Sequence, residues 1–346
     1  MRLAELPVPT SLLPMEAKLV DKIPEEAGWR FEPKWDGFRC LAFRAGDELE
    51  LRSKSGKPLG RYFPDVVAML KGLSTDRFVL DGELTIETDG ELSFEALQLR
   101  LHPAARRVAK LAAEAPASFI LFDCLLDGRG GALLDAPFTC RRAELERLFA
   151  RFGATPAMRL SPGAEDREAA CGWLASAGAA LDGVVAKRLD GPYLPGERAM
   201  LKIKRMRTAD CVVGGFRREQ DGHQAGSLLL GLYDEGGRLH HVGFTSTLAR
   251  AERAALTRTL EALAGGEGFT GAPPGGPSRW STERSTAWIP LRPKLVVEVR
   301  YDHVTGERFR HGTKLVRWRP DKDPRQCTLD QLKSEAAPGR LFRSQA

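Results

Sequence analysis

The feature that most constrains the fold is a change in texture after Met206. From there the sequence consists of short apolar runs separated by glycine-rich turns, which is typical of small all-β domains. Strand segments are predicted at 212–216, 228–233, 239–244, 294–300 and within 308–319, and a helix at 248–263. Five short strands with one helix after the third predict a small barrel of the oligonucleotide-binding (OB) type.

The part before Met206 alternates strands and helices. Strand patterns occur at 28–34, 38–43, 49–53, 78–86, 119–126, 184–187 and 201–204, and helix patterns at 63–73, 94–101, 141–152 and 167–177. We therefore predict an α+β fold with a first domain at 1–206 and the OB domain at 207–346. The boundary is expected near 204–210.

Charge is distributed unevenly between these two parts. Residues 1–206 contain 30 Lys and Arg and 30 Asp and Glu, whereas residues 207–346 contain 22 and 16, so the second part carries the whole net charge of +6. A basic segment is compatible with a polyanionic partner. Taken alone, it is more often an ordinary soluble surface.

Nothing in the sequence predicts export or membrane insertion. No apolar run approaches the roughly 18 residues of a membrane span, and the N-terminus lacks the layout of a signal peptide. The six cysteines are scattered without metal-binding spacing, so we predict that they are reduced and buried. We expect a cytoplasmic protein, and no oligomerisation signal is evident, so we expect a monomer.

Lys34, in the string Lys34-Trp35-Asp36-Gly37, is the candidate nucleophile. An extended backbone places Glu32, Lys34 and Asp36 on one face, and Gly37 permits a tight turn. A lysine attacks only when uncharged, and burial and neighbouring cations lower the pKa of such an amine. Because a string of this kind occurs by chance in about one chain of this size in ten, its neighbours decide its meaning.

Cations are supplied by Lys202-Ile203-Lys204 and by Arg39. In a strand Lys202 and Lys204 share one face, where they can bind nucleotide phosphates. Without accompanying motifs, two lysines at this spacing more often mark a solvated edge strand.

Carboxylates lie beside apolar strands at Asp81-Gly82-Glu83 and at Asp182-Gly183. Acids in such places cost free energy unless they are paired or bind a metal, and Mg²⁺ prefers a few carboxylate oxygens together with substrate phosphates. Asp36, Glu83 and Asp182 are therefore the candidate metal ligands. For each acid taken separately, a turn at a strand end is the plainer interpretation.

Taken in order, these strings resemble the motifs of ATP-dependent DNA ligases, which belong to the covalent nucleotidyltransferase superfamily. The matching segments are 34–39, 52–56, 80–83, 121–123, 182–187, 201–204 and 317–322. The resemblance extends from about residue 13 to 330 and is strongest to compact bacterial enzymes, including those associated with end joining. It implies an adenylation domain of antiparallel sheets with flanking helices, followed by the OB domain.

The resemblance also implies roles for individual residues. Lys34 would carry AMP through a phosphoramide bond, Lys202 and Lys204 would contact the α-phosphate, and Arg319 and Lys322 would align pyrophosphate during lysine adenylation. The implied nucleotide-binding residues are Glu32, Lys34, Arg39, Lys54, Glu83, Phe122, Lys187, Lys202 and Lys204, with Phe122 stacking on adenine and Glu83 contacting the ribose.

Two positions depart from the family pattern. Lys54 stands where the family usually has Arg, so a bidentate guanidinium contact to phosphate is lost. Asp182 stands where the family usually has Glu, and its side chain is one methylene shorter.

The implied cofactors are ATP and Mg²⁺, with Mn²⁺ as an alternative, and the implied partner is nicked duplex DNA. AMP would pass from Lys34 to the 5′-phosphate at the nick, and the 3′-hydroxyl would then seal the strand, with the OB domain swinging about a hinge near 206–210. Residues 284–325 carry 11 Lys and Arg against 5 Asp and Glu, a surplus that can bind backbone phosphates. The expected role is DNA repair, and nothing in the sequence encodes end-joining partners.

Two other classes of function remain open from the sequence. An RNA ligase or an mRNA capping guanylyltransferase would share the chemistry of Lys34. A non-catalytic OB scaffold with an inactive nucleotide pocket is supported only by Lys54 and Asp182, because the other charged residues of the motifs are present.

Overall fold

The computed structural model describes residues 2–152, 155–175, 181–219, 222–275 and 287–333. The chain divides into two compact units, the first extending to Arg205 and the second spanning Met206–Glu335. The division lies within the predicted linker, near 204–210.

The first unit contains ten strands and five helices among its described residues. The strands are β1 (Ala17–Val20), β2 (Trp29–Trp35), β3 (Phe38–Ala45), β4 (Glu48–Ser53), β5 (Arg77–Thr88), β6 (Glu91–Leu92), β7 (Ala117–Cys124), β8 (Met158–Leu160), β9 (Leu181–Arg188) and β10 (Met200–Ile203). The helices are α1 (Pro64–Lys71), α2 (Phe94–Arg100), α3 (Ala105–Glu114), α4 (Phe138–Phe152) and α5 (Arg167–Ala175).

These strands form two sheets. One has the order β4-β3-β5-β7-β8, with β6 paired to β5, and the other has the order β1-β10-β9-β2. Pairing is antiparallel except at β1–β10 and β7–β8. Helix α4 packs on β7, and α5 packs on β9 and β2, so each sheet buries one face under a helix. This is the predicted α+β arrangement of antiparallel sheets with flanking helices.

Strand β10 differs in two ways from its prediction. It ends at Ile203, so Lys204 follows the strand rather than lying in it. It also lies between β1 and β9. The plain interpretation of Lys202 and Lys204 as residues of a solvated edge strand is therefore wrong.

The second unit contains eight strands and one helix among its described residues. They are β11 (Arg207–Arg218), β12 (Ala225–Tyr233), β13 (Leu239–Thr245), α6 (Arg253–Glu261), β14 (Ile289–Pro290), β15 (Val296–Tyr301), β16 (Val304–Thr305), β17 (Arg308–Phe309) and β18 (Lys314–Trp318). Helix α6 is shorter than predicted because residues 250–252 form a separate 3-10 turn before it.

The five long strands of this unit form a closed barrel. Their order is β13-β12-β11-β15-β18, and a parallel bridge between Thr245 and Thr313 joins the two ends. The Thr313 amide donates to Phe244 O at 3.0 Å, and the Thr245 hydroxyl donates to Thr313 O at 2.9 Å. With α6 between the third and fourth of these strands, this is the predicted OB topology.

The cysteines follow the prediction only in part. Cys40, Cys124, Cys211 and Cys327 are free and buried, whereas Cys140 and Cys171 are free and exposed. The prediction of burial is wrong for the last two, because they lie on faces of α4 and α5 that point away from the core.

No helix in the described ranges combines the length and apolar character needed to cross a lipid bilayer.

Candidate active site

A cavity of about 1180 Å³ opens in the first unit, and side chains from both of its sheets line it. Its lining includes eight of the nine residues that the sequence predicted for nucleotide binding: Glu32, Lys34, Arg39, Lys54, Glu83, Phe122, Lys187 and Lys202. Lys204 is not part of this lining, but its amine lies 3.2 Å from an oxygen of Asp182 that also contacts Lys34. The fold therefore gathers segments that are far apart in the sequence.

Lys34 lies near the end of β2, opposite Gly183 of β9. Its Nζ is 2.6 Å from Asp182 Oδ2, and the side chain is about one quarter exposed. Burial alone would raise the pKa of Asp182, but Lys34 and Lys204 together lower it. The amine of Lys34 is thus held in an ion pair with a mostly buried carboxylate.

Gly183 allows strands β9 and β10 to approach each other closely. Its φ is +137°, and a Cβ at this position would lie 2.0 Å from Ile203 O. The lysines that flank Ile203 consequently lie close to β9, whose other edge pairs with the Lys34 strand β2. The pKa of Lys202 is lowered, first by burial and then by the charges of Lys34, Lys204 and Lys54, so the positive charge is concentrated as the sequence predicted.

Arg39 is fixed by Asp81, a contact that the sequence did not predict. The guanidinium donates to both carboxylate oxygens of Asp81 at 2.6 Å, and it lies over the ring of Phe122 at 4.5 Å. Asp81 is fully buried and also accepts a hydrogen bond from the Tyr193 hydroxyl at 2.7 Å. Arg39 and the ring predicted to stack on adenine therefore form one rigid wall.

Glu32 and Lys187 form a second buried pair in the cavity wall. Lys187 Nζ is 2.8 Å from Glu32 Oε2 and donates to Phe122 O at 3.1 Å. Glu32 is 2% exposed, and its Oε1 accepts no hydrogen bond in the structure, although Arg142 lies 3.6 Å away. The ammonium of Lys187 is occupied by protein groups, so its contribution to the cavity is to orient Glu32 and Phe122.

The three carboxylates predicted as metal ligands are not gathered into one group. Among the described residues, no set of three or more His, Cys, Asp or Glu side chains has the arrangement of a metal site. Asp182 is instead engaged by Lys34 and Lys204.

Glu83 and Asp36 remain candidates to hold a cation. The pKa of Glu83 is raised to about 7, first by burial and further by the negative charges of Asp36 and Asp81, against the opposing effects of Arg39 and Lys34. Burial and excess negative charge around an oxygen ligand are relieved by a divalent cation, so these side chains fit one.

The turn between β2 and β3 depends on Gly37 for a different reason from the one predicted. A Cβ on Gly37 would lie 2.2 Å from Leu84 O. The glycine is required by the close approach of β5, rather than by an unusual backbone angle, and this approach brings Glu83 toward Asp36.

Lys54 lies at the exposed rim of the cavity. Its side chain is 59% exposed, and its Nζ is 3.1 Å from Glu16 Oε2. A screened pair of this kind is weak, so Glu16 does not fix the lysine in place.

Arg319 and Lys322 lie in the second unit and share one carboxylate there. Asp210 accepts from Arg319 NH1 at 2.9 Å and from Lys322 Nζ at 2.8 Å. A side-chain hydrogen bond from Arg319 to Asp321 and the charge of Asp210 raise the pKa of Arg319. Sequence reasoning singled out both cations but missed Asp210, which lies in β11 with no motif around it.

Two family models match the chain. The ATP dependent DNA ligase domain matches residues 14–204, and the ATP dependent DNA ligase C terminal region matches residues 221–322. The chain belongs to the ATP-dependent DNA ligase family. This assignment confirms the enzyme class, the family and the compact bacterial type that the order of the motifs predicted.

Curated relatives and solved structures agree with the assignment. The ligase is 46% identical to DNA ligase C2 of Mycolicibacterium smegmatis over 95% of this chain and 96% of that protein. It is 33% identical to the multifunctional non-homologous end joining DNA repair protein LigD of Mycobacterium tuberculosis, over 87% of this chain and 37% of that protein. A solved Lig E DNA ligase shares the fold, with a TM-score of 0.53 at 16% identity, covering 88% of this chain and 100% of that one.

Proposed function

We propose that this ligase seals nicks in duplex DNA and that Lys34 carries the AMP. The observation that supports this most directly is the position of Lys34, which lies in one cavity with Glu83, Phe122 and Lys202. A lysine nucleophile surrounded by cations and an aromatic ring suits attack on a bound nucleotide.

The reaction would proceed in three transfers. The Lys34 nitrogen attacks the α-phosphorus of ATP, a nitrogen–phosphorus bond forms, and pyrophosphate leaves. An oxygen of the 5′-phosphate at the nick then takes AMP from Lys34. Finally the 3′-hydroxyl attacks the 5′-phosphorus of the adenylated strand, joins the ends and releases AMP.

Different residues would serve different parts of this reaction. Asp182 Oδ2, 2.6 Å from Nζ, would orient the amine of Lys34. The nitrogen becomes a nucleophile once this pair opens and its proton is released to solvent. Lys202 and Lys204 would stabilise the negative charge that develops on the α-phosphate during this attack. Arg319 and Lys322 serve pyrophosphate departure, so they act in the first transfer only.

Glu83 and Asp36 would hold Mg²⁺, or Mn²⁺ in its place. When bound, such an ion supplies Lewis-acid stabilisation of phosphate oxygens. The close approach of β5 to the turn at Gly37 brings the side chain of Glu83 beside that turn, which Asp36 precedes.

DNA would be bound mainly through its phosphates. Lys54 at the rim of the cavity and the basic surplus in 284–325 are the groups proposed for this contact. The relatives named for end joining support a role in DNA repair. We also propose that the ligase acts as a cytoplasmic monomer, with end-joining proteins as candidate partners.

The test is incubation with α-labelled ATP and Mg²⁺ followed by denaturation. Label should remain on the wild-type protein and on the control Lys110→Ala, whose lysine pairs with Glu114 on the exposed face of α3. Label should be absent from Lys34→Ala. Persistent labelling of Lys34→Ala would reject this lysine as the nucleophile.

The same preparation separates the related activities. A capping guanylyltransferase would take label from GTP in preference to ATP. An RNA ligase would seal a nick with RNA at the 3′ side faster than one with DNA. The proposal expects labelling from ATP and the faster sealing with DNA.

A further inference from the structure

We propose that Asp210 is a positioning residue for lysine adenylation, because it holds Arg319 and Lys322 side by side in one orientation. This inference rests on the proposed first-step role of the two cations. Asp210 belongs to none of the ligase motifs that the sequence displayed. It enters only because the fold places β11 beside the segment that follows β18.

The contact is mostly buried and uses both carboxylate oxygens. Arg319 NH1 donates to Oδ1 at 2.9 Å and to Oδ2 at 3.0 Å, and Lys322 Nζ donates to Oδ2 at 2.8 Å. The Asp210 side chain is 12% exposed, against 18% for Arg319 and 24% for Lys322. Charge-assisted bonds shielded from water are stronger and more directional than bonds at the surface.

The main chain of Asp210 is itself fixed from both sides. The residue pairs with Glu298 of β15 in the barrel ladder. On the other side, its amide donates to Gln331 Oε1 at 2.9 Å, and Gln331 Nε2 donates to Asp210 O at 3.1 Å. The carboxylate is therefore a fixed point from which the two cations are oriented.

A second acid on Arg319 makes the division of roles clear. Asp321 accepts from Arg319 NH2 at 2.9 Å, but its side chain is 63% exposed. Of the two acids, the exposed one can be exchanged for pyrophosphate oxygens at low cost, whereas the buried one stays. With Asp321 displaced, the group of Arg319, Lys322 and Asp210 would carry one net positive charge, which would attract the pyrophosphate anion.

Without Asp210 the arrangement would be lost even though both cations remain. Arg319 and Lys322 repel one another, and each side chain has many rotamers that carry it away from the other. Positioning of this kind affects the rate of the step that uses both groups and leaves later steps unchanged.

The test uses Asp210→Asn in the full-length ligase. We expect lysine adenylation by ATP, and its reversal by added pyrophosphate, to slow about 10- to 100-fold. Sealing of a nick that already carries AMP should stay within about twofold of wild type. Equal slowing of adenylation and of sealing would overturn the positioning role, as would faster adenylation, which would make Asp210 an inhibitor of the two cations.

Two comparisons separate positioning from general damage. Glu298→Gln removes a neighbouring acid of the same sheet, which pairs with Arg317 at 2.6 Å, and it should adenylate like wild type. Combined with Arg319→Ala, Asp210→Asn should slow adenylation by less than it does alone, because it acts through a side chain already removed. Full additivity would contradict the inference.

Asp210→Glu covers the case in which the amide variant folds poorly. It keeps the charge, so it should adenylate faster than Asp210→Asn, and a rate no better than that of the amide would count against orientation by the carboxylate. Failure of wild type to label with ATP would reject the proposed function. Normal wild-type labelling with an unaffected Asp210→Asn would reject this inference alone.

Discussion

The Lys34 amine and the Asp182 carboxylate form an ion pair, with Nζ and Oδ2 2.6 Å apart. Lys204 Nζ lies 3.2 Å from the same oxygen, so one carboxylate separates two ammonium groups that would otherwise repel one another. The shorter side chain of Asp182, compared with the usual Glu, is long enough for this contact. The residue therefore organises the lysines of the site.

Replacing Asp182 should impair the first transfer. We expect Asp182→Ala to slow lysine adenylation about 100-fold, because Lys34 and Lys204 lose the group that holds them in place. Asp182→Glu should lose less than about 10-fold, since it keeps the charge. The rate of label incorporation from α-labelled ATP measures both. A faster Asp182→Ala variant would show that the ion pair only hinders attack.

The pH dependence of stability gives a second test of this pair. The pKa of Asp182 is lowered in the folded protein. Its contribution is therefore complete above the ordinary carboxyl value near 3.9 and is lost as the pH falls through the folded value. We expect Asp182→Asn to lower the thermal unfolding midpoint at pH 7 and to match wild type in strong acid. An equal difference at both pH values would contradict this.

Glu83 should act on stability in the opposite sense. Its pKa is raised from 4.5 to about 7, so the unfolded protein ionises this group at lower pH than the folded protein does. Stability then falls as the pH rises from 4.5 to 7, and the penalty is complete above that. Glu83→Gln should exceed wild type in stability at pH 8 by up to about 3 kcal/mol and should match it near pH 4.5.

Calorimetry at pH 8 and at pH 4.5 measures this difference. Glu87→Gln is the control, because its acid lies on the same strand but is exposed and pairs only weakly, 3.4 Å from Arg159. A stabilisation of the same size in both variants would reject burial of Glu83 as the cause.

Substitutions in the buried group of Arg39, Asp81 and Tyr193 should lower the stability of the protein by different amounts. Asp81→Asn leaves the Arg39 guanidinium without its counter-ion and should cost about 3–5 kcal/mol. Tyr193→Phe removes one hydrogen bond to the same carboxylate and should cost about 1–2 kcal/mol. Thermal unfolding of each variant measures the order. A larger loss of stability for Tyr193→Phe than for Asp81→Asn would show that the hydroxyl, rather than the ion pair, holds this buried group together.

Lys54 should contribute to DNA affinity through charge alone. Lys54→Ala should make the affinity for nicked DNA depend less steeply on salt concentration. The slope of log affinity against log salt should fall by the equivalent of about one phosphate contact. Lys54→Arg should keep that dependence and bind more tightly, because a guanidinium can grip phosphate with two donors. Binding titrations across salt concentrations measure the slope. Glu16→Gln, which removes the partner of Lys54, should keep the wild-type slope.

Local patterns predicted most strands of this ligase, but they missed elements that depend on distant partners. Strand β1 is short and is stabilised by parallel pairing with β10, across more than 180 residues of sequence. Helix α3 was missed because its buried side is narrow, with Val108 and Ala112 as its buried residues. Strand β7, by contrast, was predicted because its apolar run is nearly continuous.

In the candidate site too, residues within local motifs were predicted, whereas residues that depend on distant partners were missed. Lys34, Lys202 and Phe122 were found because ordered motifs carry them. Tyr193 and Asp210 were missed because each acts on a residue more than 100 positions away, at separations of 112 and 109. Hydrogen bonds of this range leave no signal in spacing or periodicity, so only the folded chain reveals them.

The positions of Lys202 and Lys204 depend on the absence of a Cβ atom at Gly183 in the neighbouring strand β9. A methyl group on Gly183 would need the space of the Ile203 carbonyl oxygen, so Gly183→Ala would push β10 aside before it touched any substrate. Such a variant would keep every charged group of the pocket and still misplace the amines by the width of a carbon atom. Inspection of the charged residues alone would therefore not explain its loss of activity.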